Sequence, residues 1–492
     1  LDFIIDFCTD WLSNTQTEIA IRNFIMAAAS GQQTPPRIDW QQIEQVTVLG
    51  LGKSGCSVLR FLSRQFSGRI EAGQLQVNVF DSRADAPGKD EAIQLLGNDQ
   101  VNCGPWGLED TLAADVIVLS PGIDARDESI ELARQAGVRV LGDIELFAQQ
   151  VDNPVIAITG SNGKSTVTRM VEFIAQQEGI AAIAAGNIGL PALDALEQGA
   201  ALYVLELSSF QLETVETLAP AAATVLNLSP DHLDRYGDMQ DYAAAKLRIY
   251  QRAAQQVINR QQPDCHPLAS ASDCIQLFFG ADTAKQGFGL TQHQQETWIT
   301  HNGRLLLGAH QLGVQGIHNL LNAQAAIALS MAVEIEPNVA ARHLTQFNGL
   351  AHRCQLVKER DGVKWVNDSK ATNMGATEAA IEGMRPIVHG KLIVIAGGVG
   401  KGADFTELTT AISKVDVLLT IGEDGPKIGR LFNGSRQLND LSSAVKLARS
   451  LAEKGDMVLL SPACASFDQF ANFEQRGEHF AQLVEACYEQ SA

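Results

Sequence analysis

The run Ile158-Thr159-Gly160-Ser161-Asn162-Gly163-Lys164-Ser165-Thr166 follows directly on the apolar stretch Pro154-Val155-Ile156-Ala157. An apolar stretch, a glycine turn and then Lys, Ser and Thr read as a buried strand opening into a helix N-terminus. Such a turn aims backbone N–H groups at a phosphate, the Lys adds a point charge, and the hydroxyl can hold Mg²⁺. The wider form of this loop is G-x-x-x-x-G-K-[ST]. Here only Ser161 and Asn162 separate Gly160 from Gly163, and Ile158 stands where the outer glycine would be. The contraction narrows the field from nucleotide hydrolases at large to a smaller set of ATP-driven ligases.

A chain of 492 residues has room for about three ordinary domains. Its 37 basic and 57 acidic residues give a net charge of −20, a field that repels nucleic acid and anionic membranes. Any phosphate site must therefore be built locally, from backbone N–H, lysine and metal. No apolar stretch approaches the length of a membrane span. The eight cysteines form no C-x-x-C pair, so neither a disulfide framework nor a zinc site is expected, and a reducing cytoplasm fits. Residues 1–44 are expected to be an N-terminal extension of low order. They lack the basic region of a signal peptide and read either as a short appended helix or as a start placed too early, with Met26 the truer beginning.

Beyond residue 44 the pattern predicts an α/β chain of three consecutive domains, each with a mostly parallel sheet, over 45–145, 146–349 and 350–492. The first opens with Val46-Thr47-Val48-Leu49, the turn Gly50-Leu51-Gly52-Lys53-Ser54-Gly55 and a helix from Cys56. Further strands are expected at 75–80, ending at Asp81, and at 116–120. Gly50, Gly52 and Gly55 match a dinucleotide fingerprint, with Asp81 placed to meet a ribose or base. The alternative is a strand–helix turn that needs its glycines for packing alone. In the central segment, strands at 201–205 and 223–228 deliver Glu206 and then Ser229-Pro230-Asp231-His232-Leu233-Asp234. Ligands of open α/β sheets lie beyond the carboxyl ends of the strands, so Lys164, Glu206 and His232 should converge there, and a carboxylate beside a phosphate-loop serine suits Mg²⁺.

Residues 259–310 read as peripheral strands and loops, and 317–333 as a helix. Asn319 and Asn322 share one face of that helix, able to read an adenine edge or simply to cap and hydrogen-bond at the surface. The last segment places strands at 363–366, 392–396, 415–420 and 457–460. Their end loops would bring Lys370, Thr372, Lys401 and Ser466 to one rim, a cradle for a small dicarboxylate.

These motifs resemble the Mur ligases, which build the cytoplasmic peptide precursor of bacterial cell wall, and within them the D-glutamate-adding branch. The resemblance runs from about Val46 to near the C-terminus. It is carried by residues 160–166, Gly186-Asn187-Ile188-Gly189, Asp231-His232-Leu233-Asp234-Arg235-Tyr236, Ala245-Lys246-Leu247-Arg248-Ile249-Tyr250, Gly349-Leu350-Ala351-His352-Arg353, residues 367–373 and residues 461–480. Within the last, Asn472-Phe473-Glu474-Gln475-Arg476-Gly477 is the most specific signal, and the Asp-Asn-Pro-Arg motif typical of diaminopimelate-adding relatives is missing.

The resemblance implies an ATP-dependent amide ligase joining D-glutamate to UDP-N-acetylmuramoyl-L-alanine through an acyl phosphate. It implies ATP and two Mg²⁺ ions, no nucleic acid or membrane partner, and a cytoplasmic monomer. Lys164, Glu206, His232 and Lys246 would be catalytic. Gly160, Ser161, Asn162, Gly163, Lys164, Ser165, Thr166, Asn319, Asn322, Arg353 and Asp368 would contact ATP. Gly50, Gly52, Lys53, Ser54, Asp81, Ser82, Asn187 and His232 would take the UDP-sugar. Thr372 and Lys401 would bind the α-carboxylate of D-glutamate, with Ser466, Phe467 and Phe473 around the γ-carboxylate. Ser165, Glu206 and His232 would serve metal, joined by Lys246 if CO₂ carbamylates it; unmodified, Lys246 would repel Mg²⁺ or pair with a carboxylate. Three competitors are a nicotinamide-dependent oxidoreductase built on residues 50–55, a phosphate-loop module that only hydrolyses nucleotide, and another amide ligase with the same contracted loop, such as folylpolyglutamate synthase.

Overall fold

A computed structural model describes residues 37–232, 235–268, 273–314, 316–400 and 402–489. The expected N-terminal extension up to residue 36, Leu233, Asp234 and Lys401 lie outside the described residues. The chain divides into two compact units, one of residues 1–279 with 325–337 and one of residues 280–324 with 338–492.

The first unit holds two sheets. Strands β1 (Gln45–Leu49), β2 (Gln76–Asp81), β3 (Val101–Cys103), β4 (Val116–Leu119) and β5 (Arg139–Gly142) form a parallel sheet in the order β3-β2-β1-β4-β5. Strands β6 (Val155–Thr159), β7 (Ala182–Gly186), β8 (Leu202–Glu206), β9 (Ala222–Val225), β10 (Gln255–Asn259) and β11 (Ile275–Phe279) form the other, in the order β11-β10-β9-β6-β8-β7. Both are doubly wound, with the phosphate-loop strand β6 inside its sheet. All five residues of β6 are buried, as expected of a strand covered on both faces. One apolar core runs through both sheets, from Val46 and Val48 past Phe147 to Val155, Ala157 and Tyr203.

The second unit holds an antiparallel ribbon, β12 (Phe288–His293), β13 (Glu296–His301) and β14 (Arg304–Gly308), and a six-stranded sheet. The latter comprises β15 (Gln355–Arg360), β16 (Val363–Asn367), β17 (Leu392–Gly397), β18 (Val417–Ile421), β19 (Arg436–Gln437) and β20 (Met457–Leu460), in the order β15-β16-β20-β17-β18-β19. Only β15 runs antiparallel, paired to β16 at the edge. Strand alternation splits β17 between two cores, Leu392, Val394 and Ala396 on one face and Ile393 and Ile395 on the other.

Each strand anticipated from an apolar run is present. Three strands lacked such a run: β3 has three residues, β7 is alanine-rich, and β15 carries charges on an exposed edge. One boundary matters for the site. The strand expected over 223–228 stops at Val225, which frees Leu226 and Asn227 to turn under the phosphate loop.

Candidate functional site

In the first unit the loop after β6 is held by the loop after β9. Ser161 N–H donates to Asn227 O at 2.8 Å. Asn162 N–H donates to Asn227 Oδ1 at 2.8 Å, and Asn227 Nδ2 returns a bond to Asn162 O at 2.9 Å. Gly160 adopts φ +149°, and a Cβ there would lie 3.1 Å from the Leu226 Cβ, so the close approach needs glycine. Gly163, at φ +83°, forms the left-handed start of the helix Lys164–Gln177, with Ser165 and Thr166 buried in its first turn. The Lys164 ammonium donates to Gly160 O at 2.7 Å and Ser161 O at 2.9 Å.

Lys246 comes to the same place from the far side. Its Nζ donates to Gly160 O at 3.2 Å and Thr159 Oγ1 at 3.3 Å, and lies 4.8 Å from the Tyr242 ring centre. Only 2% of Lys246 is exposed. Burial above all, then repulsion from Lys164, holds its ammonium well below the ordinary lysine range, with Asp231 and Glu206 pulling weakly the other way. Glu206, at the end of β8, is likewise buried. Asn187 Nδ2 donates to its Oε1 at 2.7 Å, whereas Oε2 is buried with no hydrogen-bond partner. His232 sits at φ +55°, with its ring 4.8 Å from Phe210 and its Nε2 3.6 Å from Asp231 Oδ2.

The structure thus brings Lys164, Lys246 and the glycine turn together around Gly160 O. Glu206 with Asn187 forms a neighbouring group whose charge reaches Lys246, and His232 lies beside Phe210. An orphaned carboxylate oxygen beside an amide is the donor chemistry of a hard cation, although among the described residues no group of three or more His, Cys, Asp or Glu side chains is placed to hold one.

The other glycine turn of this unit follows β1. Leu51 N–H donates to Asp81 Oδ2 at 2.7 Å, and Ser120 Oγ donates to Gly50 O at 2.8 Å. A Cβ on Gly55 would lie 1.9 Å from Gly50 O, so this glycine is required for packing. The Arg83 guanidinium, helped by the Leu51 N–H, holds the Asp81 carboxyl down at about 2. Both Asp81 oxygens are therefore engaged within the protein, while Ser82 and Lys53 are exposed.

In the second unit Asn322 Nδ2 donates to Asn319 Oδ1 at 3.1 Å, and both residues are buried. Asp368, after β16, accepts from Cys354 N–H at 3.1 Å and Ser461 Oγ at 2.9 Å. Burial nevertheless pushes its carboxyl up to about 7. Arg353 lies one residue from that Cys354 donor.

Arg476, on the helix Phe473–Glu489, joins two strand-end loops. It donates to Ser369 Oγ at 2.9 Å, Ser369 O at 2.8 Å and Cys464 O at 3.1 Å. Desolvation lowers its guanidinium to about 10. Ser369 Oγ donates in turn to Phe473 O at 2.8 Å, and the Lys370 Nζ stands 3.8 Å over the Phe473 ring. The β17 end loop joins this group through the paired Val399 and Ala465. Ser466 is buried and Phe467 is 66% exposed, while Thr372 N–H donates to Lys370 O at 2.8 Å.

Asn227, Tyr242 and Arg476 were assigned no role from sequence. Asn227 was hidden inside an expected strand. Tyr242, whose hydroxyl lies 3.2 Å from Ser161 Oγ, sits four residues before Lys246, one helical turn away. Arg476 belonged to the most specific motif of the C-terminal segment.

Three family models match the chain: "Mur ligase MurD-like, N-terminal domain" over residues 44–142, "Mur ligase middle domain" over 158–330 and "Mur ligase, glutamate ligase domain" over 352–464. The UDP-N-acetylmuramoylalanine–D-glutamate ligase of Idiomarina loihiensis is 53% identical over 465 residues, covering 93% of this chain and 100% of its own. The protein of the same name from Vibrio vulnificus is 44% identical over 448 residues, covering 90% and 98%. Among solved structures, the MurF ligase of Thermotoga maritima in complex with ADP aligns at a TM-score of 0.59 with 16% identity, covering 93% of this chain and 98% of that one. A pseudomurein peptide ligase type C from Methanothermus fervidus aligns at 0.55 with 18% identity, covering 90% and 100%. The glycine turn after β6, the buried Lys246 and Glu206, and these matches along almost the whole chain lead to one conclusion: the chain belongs to the Mur ligase family.

Proposed function

We propose that this chain is an ATP-dependent ligase that adds D-glutamate to UDP-N-acetylmuramoyl-L-alanine in peptidoglycan precursor synthesis. The observation that carries the reading is the contracted phosphate loop, with the side chains of Lys164 and the buried Lys246 converging on its Gly160 carbonyl. The naming of relatives up to 53% identical supplies the substrates.

The chemistry then follows. The L-alanyl carboxylate attacks the γ-phosphorus of ATP; an O–P bond forms, the bond to the β–γ bridging oxygen breaks, and ADP leaves. The amine of D-glutamate attacks the carbonyl of the acyl phosphate, loses a proton to solvent, and the tetrahedral adduct expels inorganic phosphate to leave an amide. Lys164 releases its two loop carbonyls and turns to the phosphates, where its charge offsets the crowding of anions. Ser165, Glu206 and His232 would hold Mg²⁺, which when bound polarises the phosphoryl oxygens and lets two anions approach. Asn187 orients Glu206 through Oε1, leaving Oε2 for the cation.

Burial and the neighbouring Lys164 disfavour the ammonium form of Lys246 and so raise the share of its neutral amine, the form that reacts with CO₂. It can therefore take up CO₂, forming an N–C bond with loss of a proton, and so become a carbamate able to support a second metal. Asn319, Asn322, Arg353 and Asp368 serve ATP. Lys53, Ser54, Asp81 and Ser82 serve the uridine diphosphate. Thr372, Lys401, Ser466, Phe467 and Phe473 serve D-glutamate. The domains divide at about residues 45, 146 and 350, and the protein works as a cytoplasmic monomer. Among the described residues no helix is long and apolar enough to cross a membrane.

The test is phosphate release from ATP by the purified chain with UDP-N-acetylmuramoyl-L-alanine and each of D-glutamate, L-glutamate and meso-diaminopimelate. Release only with D-glutamate is expected. Release without any amino acid, or with another one, overturns the reading.

A further inference from the structure

A short helical turn, Ser209–Leu212, begins three residues beyond Glu206 and is capped at its C-terminal end by Glu213. Its start is fixed by reciprocal bonds. Gln211 N–H donates to Ser208 Oγ at 3.2 Å, and Ser208 N–H donates to Gln211 Oε1 at 3.0 Å. Phe210 and Glu213 stand three apart, so they share one face of this turn.

That face receives the turn that carries His232. Tyr236 Oη donates to Glu213 Oε1 at 2.6 Å, and Arg235 Nη2 donates to Glu213 Oε2 at 2.7 Å. The Arg235 guanidinium lies 4.3 Å from the centre of the Phe210 ring, and the His232 ring meets the same Phe210 at 4.8 Å. The backbone closes the link, because His232 O accepts from Arg235 N–H at 3.0 Å and from Tyr236 N–H at 3.1 Å. The two residues whose side chains Glu213 holds are therefore the two whose main chain holds His232.

Arg235 also reaches the loop after β4. It donates to Ile123 O at 3.0 Å and to Pro121 O at 3.4 Å, and Arg126 Nη2 donates back to Arg235 O. The Arg235 side chain is 11% exposed, and its Nε is buried without a hydrogen-bond partner. A guanidinium so far out of water depends on its carboxylate, and Glu213 is the acid that pairs with it. Two carboxylates on the helix Asp143–Ala148 give a contrast. Asp143 Oδ2 is buried without a partner. Glu145 accepts from Glu216 N–H, Thr217 N–H, Thr217 Oγ1 and Gln149 Nε2, all at 2.7–2.9 Å, and so ties a loop down. Glu213 instead spends each oxygen on a side chain that flanks a candidate site residue.

We infer that Glu213 is a positioning residue for the ligation: its two oxygens hold Arg235 and Tyr236, and through their N–H groups it sets where the His232 ring stands. Two short bonds to two different side chains fix that turn in direction as well as in distance. Phe210, on the same face, bounds the imidazole. A shift of about 1 Å at such a group is enough to cost a large part of the rate. The inference rests on the proposed function, because it takes His232 as part of the reaction site.

The test is a double-mutant cycle on the full chain with Glu213→Ala, His232→Ala and the two combined. It is read as phosphate release from ATP with UDP-N-acetylmuramoyl-L-alanine and D-glutamate. If Glu213 acts through His232, Glu213→Ala alone lowers turnover about thirtyfold but lowers it less than about threefold further beside His232→Ala. A purely structural role multiplies the two effects in full. Glu213→Gln keeps one acceptor oxygen and should lose only about fivefold. Calorimetric binding of the sugar nucleotide to the same four proteins runs the cycle without turnover. There Glu213→Ala is expected to weaken Kd about tenfold alone and less than about twofold beside His232→Ala. Should Glu213→Ala fail to fold, Glu213→Gln and Tyr236→Phe, which removes one of the two bonds, take its place in both cycles. Effects that multiply, or a Glu213→Ala protein with normal turnover and normal Kd, overturn the inference alone. Wild-type protein that releases no phosphate with the sugar nucleotide and D-glutamate overturns the proposed function and this inference together.

Discussion

The strand-end clusters of the two units treat buried charge in opposite ways. In the first, Lys246 has only two neutral acceptors at 3.2–3.3 Å and Glu206 keeps an empty oxygen. In the second, both oxygens of Asp368 are engaged, and Arg476 clamps Ser369 to Cys464 with three bonds, although its Nη1 is buried without a hydrogen-bond partner. Charge left short of partners is unfavourable in the free protein and becomes favourable only when a ligand supplies the missing contacts. Charge that is well partnered holds loops in shape. The first cluster is therefore expected to trade stability for activity, and the second to support the fold on which its binding loops depend.

The sharpest break between them is Lys164→Ala. Turnover should fall about a thousandfold, some 4 kcal/mol of barrier, while the melting temperature stays within about 2 °C, because two loop carbonyls return to solvent. A near-normal rate of phosphate release would remove the phosphate loop from the mechanism.

Arg476→Met tests the opposite corner. It strands Ser369 O, Ser369 Oγ and Cys464 O without their donor, and should cost about 3 kcal/mol in urea unfolding of the transition that reports the second unit. An unchanged unfolding midpoint would show that the clamp is not structural.

Lys246→Met should do the reverse of Arg476→Met. Exchanging a buried, poorly paired ammonium for an apolar side chain of similar volume should leave stability unchanged or raise it by about 1 kcal/mol, while turnover drops at least a hundredfold. A large loss of stability would mean that Lys246 is partnered more fully than its two long bonds suggest.

The smallest effects are in pH dependence, and they have opposite signs. Lys246 is held below its unfolded pKa, so the unfolded chain binds the extra proton and wild type gains on Lys246→Met as pH rises toward the ordinary lysine range. Asp368 is raised from 3.8 to about 7, so the folded chain binds the extra proton between those values. Its contribution is fully present at the acidic end of that window and is lost as pH rises through about 7. Relative to Asp368→Asn, wild type should lose on the order of 1 kcal/mol between pH 5 and pH 8, read by urea titration at each pH. Parallel pH profiles for the two pairs would erase the distinction.

The fold was legible wherever burial acts through composition. Strands such as Val155–Thr159 and Leu392–Gly397 are continuous apolar runs because both faces are covered. Edge strands gave no such signal: Gln355–Arg360 is charged because one side meets water, and Ala182–Gly186 is alanine-rich and silent to periodicity. The phosphate-loop residues were legible because a turn of fixed geometry needs particular residues at consecutive positions. Arg476 and Asn227 carry their information in partners more than 60 residues away in sequence, such as Asn162 and Ser369.

By itself, then, the sequence determined the class of fold, the phosphate loop and the titratable residues at the strand ends, since these depend on local spacing and on which residue types tolerate burial. The tertiary structure alone decided which of those charges are answered. Whether the Lys246 ammonium is disfavoured, Glu206 keeps an oxygen open, or Asp143 lacks the partners that Glu145 has depends on desolvation and on donors from distant segments. Those quantities are set by packing, and no spacing along the chain encodes them.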